Sequence, residues 1–180
     1  GCWAGAWVPS PQLGRPAVAH RHGIIALGTV RLTNRRDLIG SGDDQRAPRS
    51  DLDLVIERYL RKGPGGLRGL IGDFAFVLWD PREEVLFAAR DALGVKSLFY
   101  QQRGNHLAVA SHVECLEQGP YDLEFMGHFL SGAPLPDSRT VFGNVKRLPA
   151  GSSLVARKER VAVETYWSAG EFEPATDSPD

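Results

Sequence analysis

The chain has 180 residues, of which 42% are hydrophobic and 24% charged, so it can bury one sizeable core as a single compact domain. The formal net charge is −1 and the arginines are interspersed with carboxylates, so we expect neither nucleic acid nor an anionic membrane as a partner. No apolar run approaches the ~20 residues of a membrane span and the first residues lack a signal-peptide pattern, so we expect a cytoplasmic protein.

The first third of the chain predicts two buried strands separated by a loop. Residues 2–8 and 23–32 are apolar runs typical of such strands, and residues 9–16 form the loop. His20 and His22 precede the second strand, but no carboxylate or cysteine stands near them at ligand spacing. A surface loop is therefore favoured there over a metal site, and residues 43–50 predict a further loop.

A capped helix follows this loop. Ser50 is a typical N-cap residue and acidic side chains fall in the first turn, which predicts a helix over residues 51–62. The apolar stripe of the helix comprises Leu52, Val55, Ile56, Tyr59 and Leu60. The glycine-rich run 63–69 ends the helix; it lacks the Lys-Ser/Thr of a phosphate-binding loop and so predicts a flexible connection.

Residues 72–100, GDFAFVLWDPREEVLFAARDALGVKSLFY, predict three strands and two turns. Apolar side chains occupy both faces of the first strand, which requires a sheet covered on both sides. The turn residues at 80–83 predict a hairpin with an antiparallel return over 85–89. Gly94 is free to adopt a positive φ and leads into a third strand at 97–101.

The last third predicts a helix over residues 123–130 and further strands within 141–166. From residue 169 the chain is too poor in apolar side chains to order itself, so we expect a domain over 1–168 and a disordered linker or tail over 169–180. Cys115 lies on an apolar helix edge and is expected to pack as a small hydrophobic residue.

The hairpin block resembles the glutaminase domain of asparagine synthetase, a class II glutamine amidotransferase. In that family a G-x-F-A-F-x-L-W-D hairpin precedes A-R-D-x-x-G-x-K-x-L-Y-Y, and the counterparts here are residues 72–80 and 89–100. The family motifs L-x-F-A-S-E-x-K-x-L, x-K-x-L-P-P-G and Y-W have counterparts at 106–116, 145–151 and 165–167. The resemblance thus spans roughly residues 51–167.

The resemblance implies the fold and the partner. The fold is α+β, a four-layer αββα sandwich in which two antiparallel sheets lie between helical layers, as in the N-terminal nucleophile (Ntn) hydrolases. In the family, an ATP-using synthetase domain begins beyond this segment. The implied partner is such a domain, on a separate chain or in a missing C-terminal half; ATP and Mg belong to that partner, and this domain itself needs no cofactor.

Cys2 is the candidate nucleophile that the resemblance implies. In the family the first residue is a cysteine, whose thiolate attacks the glutamine amide while its own α-amine moves the proton. Here Gly1 precedes Cys2, and Cys2 stands three steps before Gly5 where the family motif C-G-I-x-G has four. Cys2 can therefore act only if Gly1 is removed, and otherwise it is a small buried residue.

Two alignments give different substrate-binding residues. One anchors Asn34 on the end of the family motif N-G-E-I-Y-N and places residues 29–33 over the rest, without the Asn and Gly that stabilise the oxyanion. The other sets residues 27–32 on L-G-H-R-R-L, which makes Arg31 the clamp for the glutamine carboxylate. Asp51 matches the family's S/G-D that binds the substrate amine, and is equally explained as a first-turn helix carboxylate.

The form R-L-x-N-R-x-x-L followed by S-D-x-x-L is most similar to lasso-peptide cyclases (macrolactam synthetases) and β-lactam synthetase, which keep this fold without using it for ammonia. We therefore predict a glutaminase-like domain of an asparagine-synthetase-type, ATP-dependent amide ligase, inactive as a glutaminase and acting as a structural partner. The alternative is an active amidotransferase that delivers ammonia for asparagine synthesis, with Cys2 and Asp51 in their family roles. An exposed apolar patch would favour the first hypothesis.

Overall fold

The structure is a computed structural model that describes residues 17–39, 50–158 and 160–171. The predicted strand at 2–8, the loop at 9–16, most of the loop at 43–50 and the tail beyond Glu171 lie outside the described residues.

Within the described ranges the chain forms nine strands and three α-helices. In chain order they are β1 Ala17–Arg21, β2 Ile24–Leu32, α1 Arg35–Leu38, α2 Asp51–Lys62, β3 Gly72–Asp80, β4 Val85–Arg90, β5 Phe99–Arg103, β6 His106–Ala110, α3 Leu123–Ser131, β7 Lys146–Arg147, β8 Ser152–Arg157 and β9 Arg160–Thr165. Short 3-10 helices occupy Pro64–Gly69, Val113–Cys115 and Ala169–Glu171. No helix in the described part of the chain is both long and apolar enough to cross a membrane.

The strands build two antiparallel sheets with a core on each side of the larger one. The six-stranded sheet has the order β1-β2-β3-β4-β8-β9, and the three-stranded sheet has the order β6-β5-β7. Phe74, Phe76 and Leu78 on β3 share one buried cluster with the apolar side of α2. The opposite face of the larger sheet carries Ala75 and Leu154 into a second cluster, which Tyr100, Leu107 and Val109 of the smaller sheet join. The predicted α+β sandwich, with β3 covered on both faces, is confirmed.

The predicted hairpin is confirmed, and the third strand begins later than expected. β3 and β4 pair antiparallel around the turn at residues 81–84, and Gly94 has a φ of 66°. β5 begins at Phe99 and not at residue 97, because the preceding backbone is held in a turn by the carboxylate of Asp91.

Arg90 and Asp91, at the end of β4, connect several parts of the fold. Both residues are buried, with 7% and 1% of their surfaces exposed. The Arg90 guanidinium donates to three carbonyl oxygens, those of Gly94 (2.7 Å), Lys96 (2.7 Å) and Leu148 (2.9 Å). The Asp91 carboxylate accepts from three backbone N–H groups, those of Phe74 (3.3 Å), Val95 (2.8 Å) and Lys96 (3.0 Å). The side chains of Arg90 and Asp91 thus supply hydrogen bonds to backbone groups of the loop after β4, which has no partner strand among the described residues to supply them.

Helix α2 has the predicted bounds, and its buried stripe differs from the prediction at two residues. Ser50 and Asp53 form a reciprocal capping box, and Gly63 ends the helix with a φ of 60°. Leu54 is buried, whereas Leu60 is 37% exposed. The predicted stripe was wrong at these two residues because α1 lies against α2 and covers the side that carries Leu54.

Three further expectations from the sequence are wrong. His20 lies in β1 and not in a loop, because His22 and Gly23 form a two-residue turn with φ values of 51° and 80° that joins β1 to β2 as a hairpin. Residues 63–69 are not merely a flexible connection, since Pro64–Gly69 forms a 3-10 helix against α2. Cys115 is exposed, because its segment makes only one short turn and it is Leu116 that enters the core.

The β3–β4 hairpin allows a pH-dependent prediction at Asp80. Its buried carboxylate accepts two hydrogen bonds from the Arg82 guanidinium, at 2.9 and 2.8 Å, and these bonds hold the pKa of Asp80 below its ordinary value near 3.8. A lowered pKa stabilises the fold above that value, and the gain is lost as pH falls through the folded pKa. We expect Asp80→Asn to cost about 1.5–3 kcal/mol at pH 7, measured by urea unfolding.

The difference between Asp80→Asn and the parent should stay constant from about pH 7 to pH 5 and shrink below about pH 4. Glu84→Gln, on an exposed residue of the same turn, is the matched control and should stay within about 0.5 kcal/mol of the parent. An Asp80→Asn cost that does not diminish at low pH would contradict the ionic origin of this stabilisation.

Candidate functional site

The predicted nucleophile, Cys2, lies outside the described residues, and its role stays a prediction. The candidate site is therefore built from Arg31, Asp51 and their neighbours, which lie where the end of β2 meets the N-terminus of α2.

The second half of β2 has a free edge within the described residues. β1 pairs with β2 only from Ile24 to Gly28, so residues 29–32 pair with β3 alone. Thr33 donates its N–H to the carbonyl of Ile71 (2.8 Å), and N–H directions alternate along an antiparallel strand. The N–H groups of Val30 and Leu32 consequently face away from β3. At this edge they can donate hydrogen bonds to a substrate or to a side chain of the protein.

Asp51 occupies part of this edge. Its carboxylate accepts the N–H of Leu32 at 2.9 Å and forms an ion pair with Arg35 of α1, and its side chain is only 16% exposed. Asp51 is also the first residue of α2, where the helix dipole favours a negative charge. The carboxylate thus ties α1, α2 and β2 together.

The start of α2 is fixed by a second carboxylate. Asp53 accepts from Arg21 Nε at 2.6 Å, and from the N–H and hydroxyl of Ser50 at 2.9 and 2.8 Å. Partial burial by itself raises the pKa of Asp53, but the hydrogen bonds from Arg21 and Ser50 outweigh it and lower the pKa below its ordinary value. Because β1 holds the helix start through Arg21, the position of Asp51 next to β2 is well defined.

Arg31 is placed differently from Asp51. It is exposed on β2 opposite Asp73, and its neighbour Leu32 is 5% exposed within the core beneath α2. Since neighbouring strand residues alternate between faces, the Arg31 side chain projects from the face away from α2. Asp51 approaches the strand from the α2 side.

Asn34, the anchor of one alignment, has a structural role. Its amide nitrogen donates to the carbonyl of Gly69 (2.9 Å), and its amide oxygen accepts the N–H of Ile71 (3.1 Å). These two bonds fix the end of β2 against the segment that enters β3. Both ends of the amide are therefore engaged by the chain itself.

The sequence analysis missed Arg35 as a partner of Asp51. The available signal was the dipeptide Arg35-Arg36 directly after Asn34, which places two cations close to the end of β2. No pattern along the chain identifies which carboxylate they meet, because Asp51 approaches from a helix sixteen positions later.

The chemistry open to this edge is limited. Stabilising an oxyanion requires donors aimed at it, and binding a substrate amine requires a carboxylate with available oxygens. Thr29 and Val30 are half-buried and offer no side-chain amide. Oδ2 of Asp51 accepts the Leu32 N–H, whereas the buried Oδ1 meets Arg35 as an ion pair and accepts no hydrogen bond from the described residues. In the part of the chain that the structure describes, no three His, Cys, Asp or Glu side chains are placed to hold a metal ion.

Comparisons with known proteins agree with this fold. The sequence profile of the glutamine amidotransferase domain matches residues 30–167. Amidase chry2 of Gibberella zeae is 36% identical over 120 residues, which are 66% of this chain and 18% of that protein. Asparagine synthetase [glutamine-hydrolyzing] 3 of Bacillus subtilis is 29% identical over 137 residues, which cover 73% of this chain and 22% of that protein.

A solved structure of glutamine phosphoribosylpyrophosphate amidotransferase from B. subtilis is similar with a TM-score of 0.52 and 17% identity, covering 85% of this chain and 32% of that one. At this identity the likeness shows the fold alone. The present chain spans about a fifth of the length of the two curated relatives.

Proposed function

This chain belongs to the glutamine amidotransferase domain family, in its asparagine-synthetase form, and on that premise we propose that it is a domain of an ATP-dependent amide ligase that does not hydrolyse glutamine. In this proposal the domain packs against an ATP-binding synthetase partner and shapes the active site of that partner. The partner holds ATP and Mg, and a macrolactam or lasso-peptide cyclase is the type of ligase proposed.

The observation that carries the proposal is the engagement of Asp51 by its own chain. A substrate amine would have to displace Arg35 from the carboxylate and compete with the Leu32 N–H. Breaking a half-buried ion pair to admit another cation gains little, because one charge pair only replaces another. In the alignment anchored on Asn34, Thr29 stands where the family has the oxyanion-stabilising Asn, and in the other alignment the motif N-G-E-I-Y-N has no counterpart. Either alignment lacks the donors that glutamine hydrolysis requires.

A ligase that joins two groups of one substrate fits these features. Once the partner has adenylated a carboxylate with ATP and released pyrophosphate, an amine of the same substrate attacks the acyl carbon, and AMP leaves as the amide bond closes. External ammonia is not consumed, so neither the nucleophile nor the oxyanion donors are needed. In this proposal the domain keeps its fold because the synthetase partner packs against its surface.

The intact mass of the full chain with and without the glutamine analogue diazo-oxo-norleucine tests this proposal. We expect no adduct, because the analogue needs both a reactive terminal cysteine and a glutamine-binding site. B. subtilis asparagine synthetase 3 serves as the positive control. Cys115→Ser removes the exposed thiol, so that any adduct in this variant can be assigned by fragmentation to Cys2.

A chain that lacks Gly1 and carries the adduct on Cys2 would overturn the proposal. It would establish the alternative, a glutamine-hydrolysing domain that delivers ammonia for asparagine synthesis. The observation in favour of that alternative is the similarity to a synthetase named as glutamine-hydrolyzing.

A further inference from the structure

Large apolar side chains are exposed on α3, on the segment that follows it and on the loop between β4 and β5. The exposed fractions are 76% for Leu93, 54% for Val95, 63% for Phe129, 78% for Leu130 and 40% for Leu135. We call these five residues the exit corner. Exposed apolar patches of more than a few hundred Å² typically mark interaction sites.

The loop with Leu93 and Val95 lies against the C-terminal end of the described chain. Gly151 donates its N–H to the carbonyl of Asp91 (2.9 Å) and accepts the N–H groups of Tyr166 (2.8 Å) and Trp167 (3.1 Å). The Tyr166 hydroxyl donates to the carbonyl of Arg90 at 2.5 Å. The last residues after β9 are thus fixed to the same loop that exposes Leu93.

The segment with Leu135 reaches the same corner from α3. The N–H of Ala150 donates to the Asp137 carboxylate at 3.0 Å, and Ala150 lies beside Gly94. His128 on α3 contacts the carbonyl of Pro134 at 2.8 Å through its ring nitrogen, which folds the residues before Leu135 back onto the helix. The segment that carries Leu135 therefore connects α3 with the loop that carries Leu93.

Helix α3 lacks the burial that its composition requires. Its sequence LEFMGHFLS is apolar on most sides, yet the helix has no buried residue. A helix that is hydrophobic all round is normally enclosed by protein. The helix is held locally, since Asp122 caps its first turn and pairs with Arg139.

We propose that the exit corner is the docking surface for the ATP-using part of the amide ligase, an inference that rests on the proposed function. The matched segments make up only 18% and 22% of the two curated relatives, so in them the domain shares a polypeptide with much more protein. Polypeptide that continues past Trp167 starts beside Gly151, which is hydrogen-bonded to Asp91 at the start of the loop that carries Leu93. The apolar surface is therefore next to where such a neighbour begins.

The test measures binding between this domain and the ATP-using polypeptide by titration calorimetry. The two are taken as natural separate chains, or produced by cutting the natural full-length protein at a protease site placed after residue 171. Leu93→Glu and Leu130→Glu should each raise the dissociation constant at least about tenfold, because each puts a charge into an apolar contact. Circular dichroism verifies that both variants are folded.

Val18→Glu is the matched control. Val18 is also apolar and 61% exposed, but it lies on β1, at the opposite edge of the six-stranded sheet from β9. This variant should bind within about twofold of the parent, as expected for a residue outside the contact.

Equal dissociation constants for the parent, Leu93→Glu and Leu130→Glu would contradict the proposal that the exit corner is the docking surface. The proposed function would not be affected by that result. A parent domain that does not bind the ATP-using polypeptide would overturn the proposed function and the surface with it. Light scattering could also show that the parent domain is a dimer and that the Leu130→Glu variant is a monomer. The exit corner would then be a contact between two copies of this chain, and the proposal would be wrong.

Discussion

Arg90→Met is expected to lower the free energy of unfolding by about 3–5 kcal/mol, because it removes a buried charge that satisfies three carbonyl oxygens. Burial lowers the pKa of the Arg90 guanidinium, partly offset by Asp137, so the protein already bears a desolvation cost to keep the cation there. Methionine replaces the unbranched part of the side chain as far as Nε and donates no hydrogen bond. The carbonyls of Gly94, Lys96 and Leu148 would then be left without these donors inside the fold.

Arg90→Met should affect partner binding as well as stability. Leu148 is 1% exposed, and the loop of Gly94 and Lys96 carries the exposed Leu93 of the exit corner. We therefore expect Arg90→Met both to unfold at lower urea concentration and to weaken partner binding. Urea unfolding monitored by far-UV circular dichroism measures the first effect.

Arg103→Met is the control for the Arg90 change. Arg103 pairs with Glu117, but both side chains are about 60% exposed, so the pair is strongly screened by water. Its removal should cost no more than about 1 kcal/mol. Equal costs at Arg90 and Arg103 would show that the three carbonyl oxygens find water or other donors, and that the buried guanidinium is not essential.

Features that depend on neighbouring residues could be predicted from the sequence. Helix α2 has its own start signal in Ser50 and its own stop in Gly63, and the β3–β4 hairpin has its turn residues at 81–84. These signals act within a few residues, so they hold whatever the rest of the chain does. Recognition of the family motifs then supplied the fold as a whole.

Features that depend on distant residues could not be predicted. Leu54 is buried rather than Leu60 because α1 packs beside α2, a contact that the helical period alone does not reveal. The pairing of Asp51 with Arg35 is of the same kind, since it depends on how α1 follows β2. The hairpin of β1 and β2 was missed for another reason: His22 adopts a positive φ, for which glycine and asparagine are the usual signals.

Gly28→Ala is expected to destabilise the domain by about 3 kcal/mol or more, because the position combines an unfavourable backbone with an overlap. Gly28 has a φ of 154° in the middle of β2. A Cβ atom there would overlap the carbonyl oxygen of Ala75 and lie 2.6 Å from the Cα of Phe76. Both belong to the backbone of β3, which is held by β2 on one side and β4 on the other and cannot move alone.

Gly104→Ala separates the two causes. Gly104 lies in the turn between β5 and β6 with a φ of 53°, and a Cβ atom there would meet nothing within 4 Å. Only the backbone cost applies, so this variant should lose about 1–2 kcal/mol in urea unfolding. If Gly28→Ala lost no more than Gly104→Ala, β2 would have to shift away from β3 to make room. Residues 29–32 would shift with it, and the contact of Leu32 with Asp51 would then be adjustable rather than fixed by the sheet.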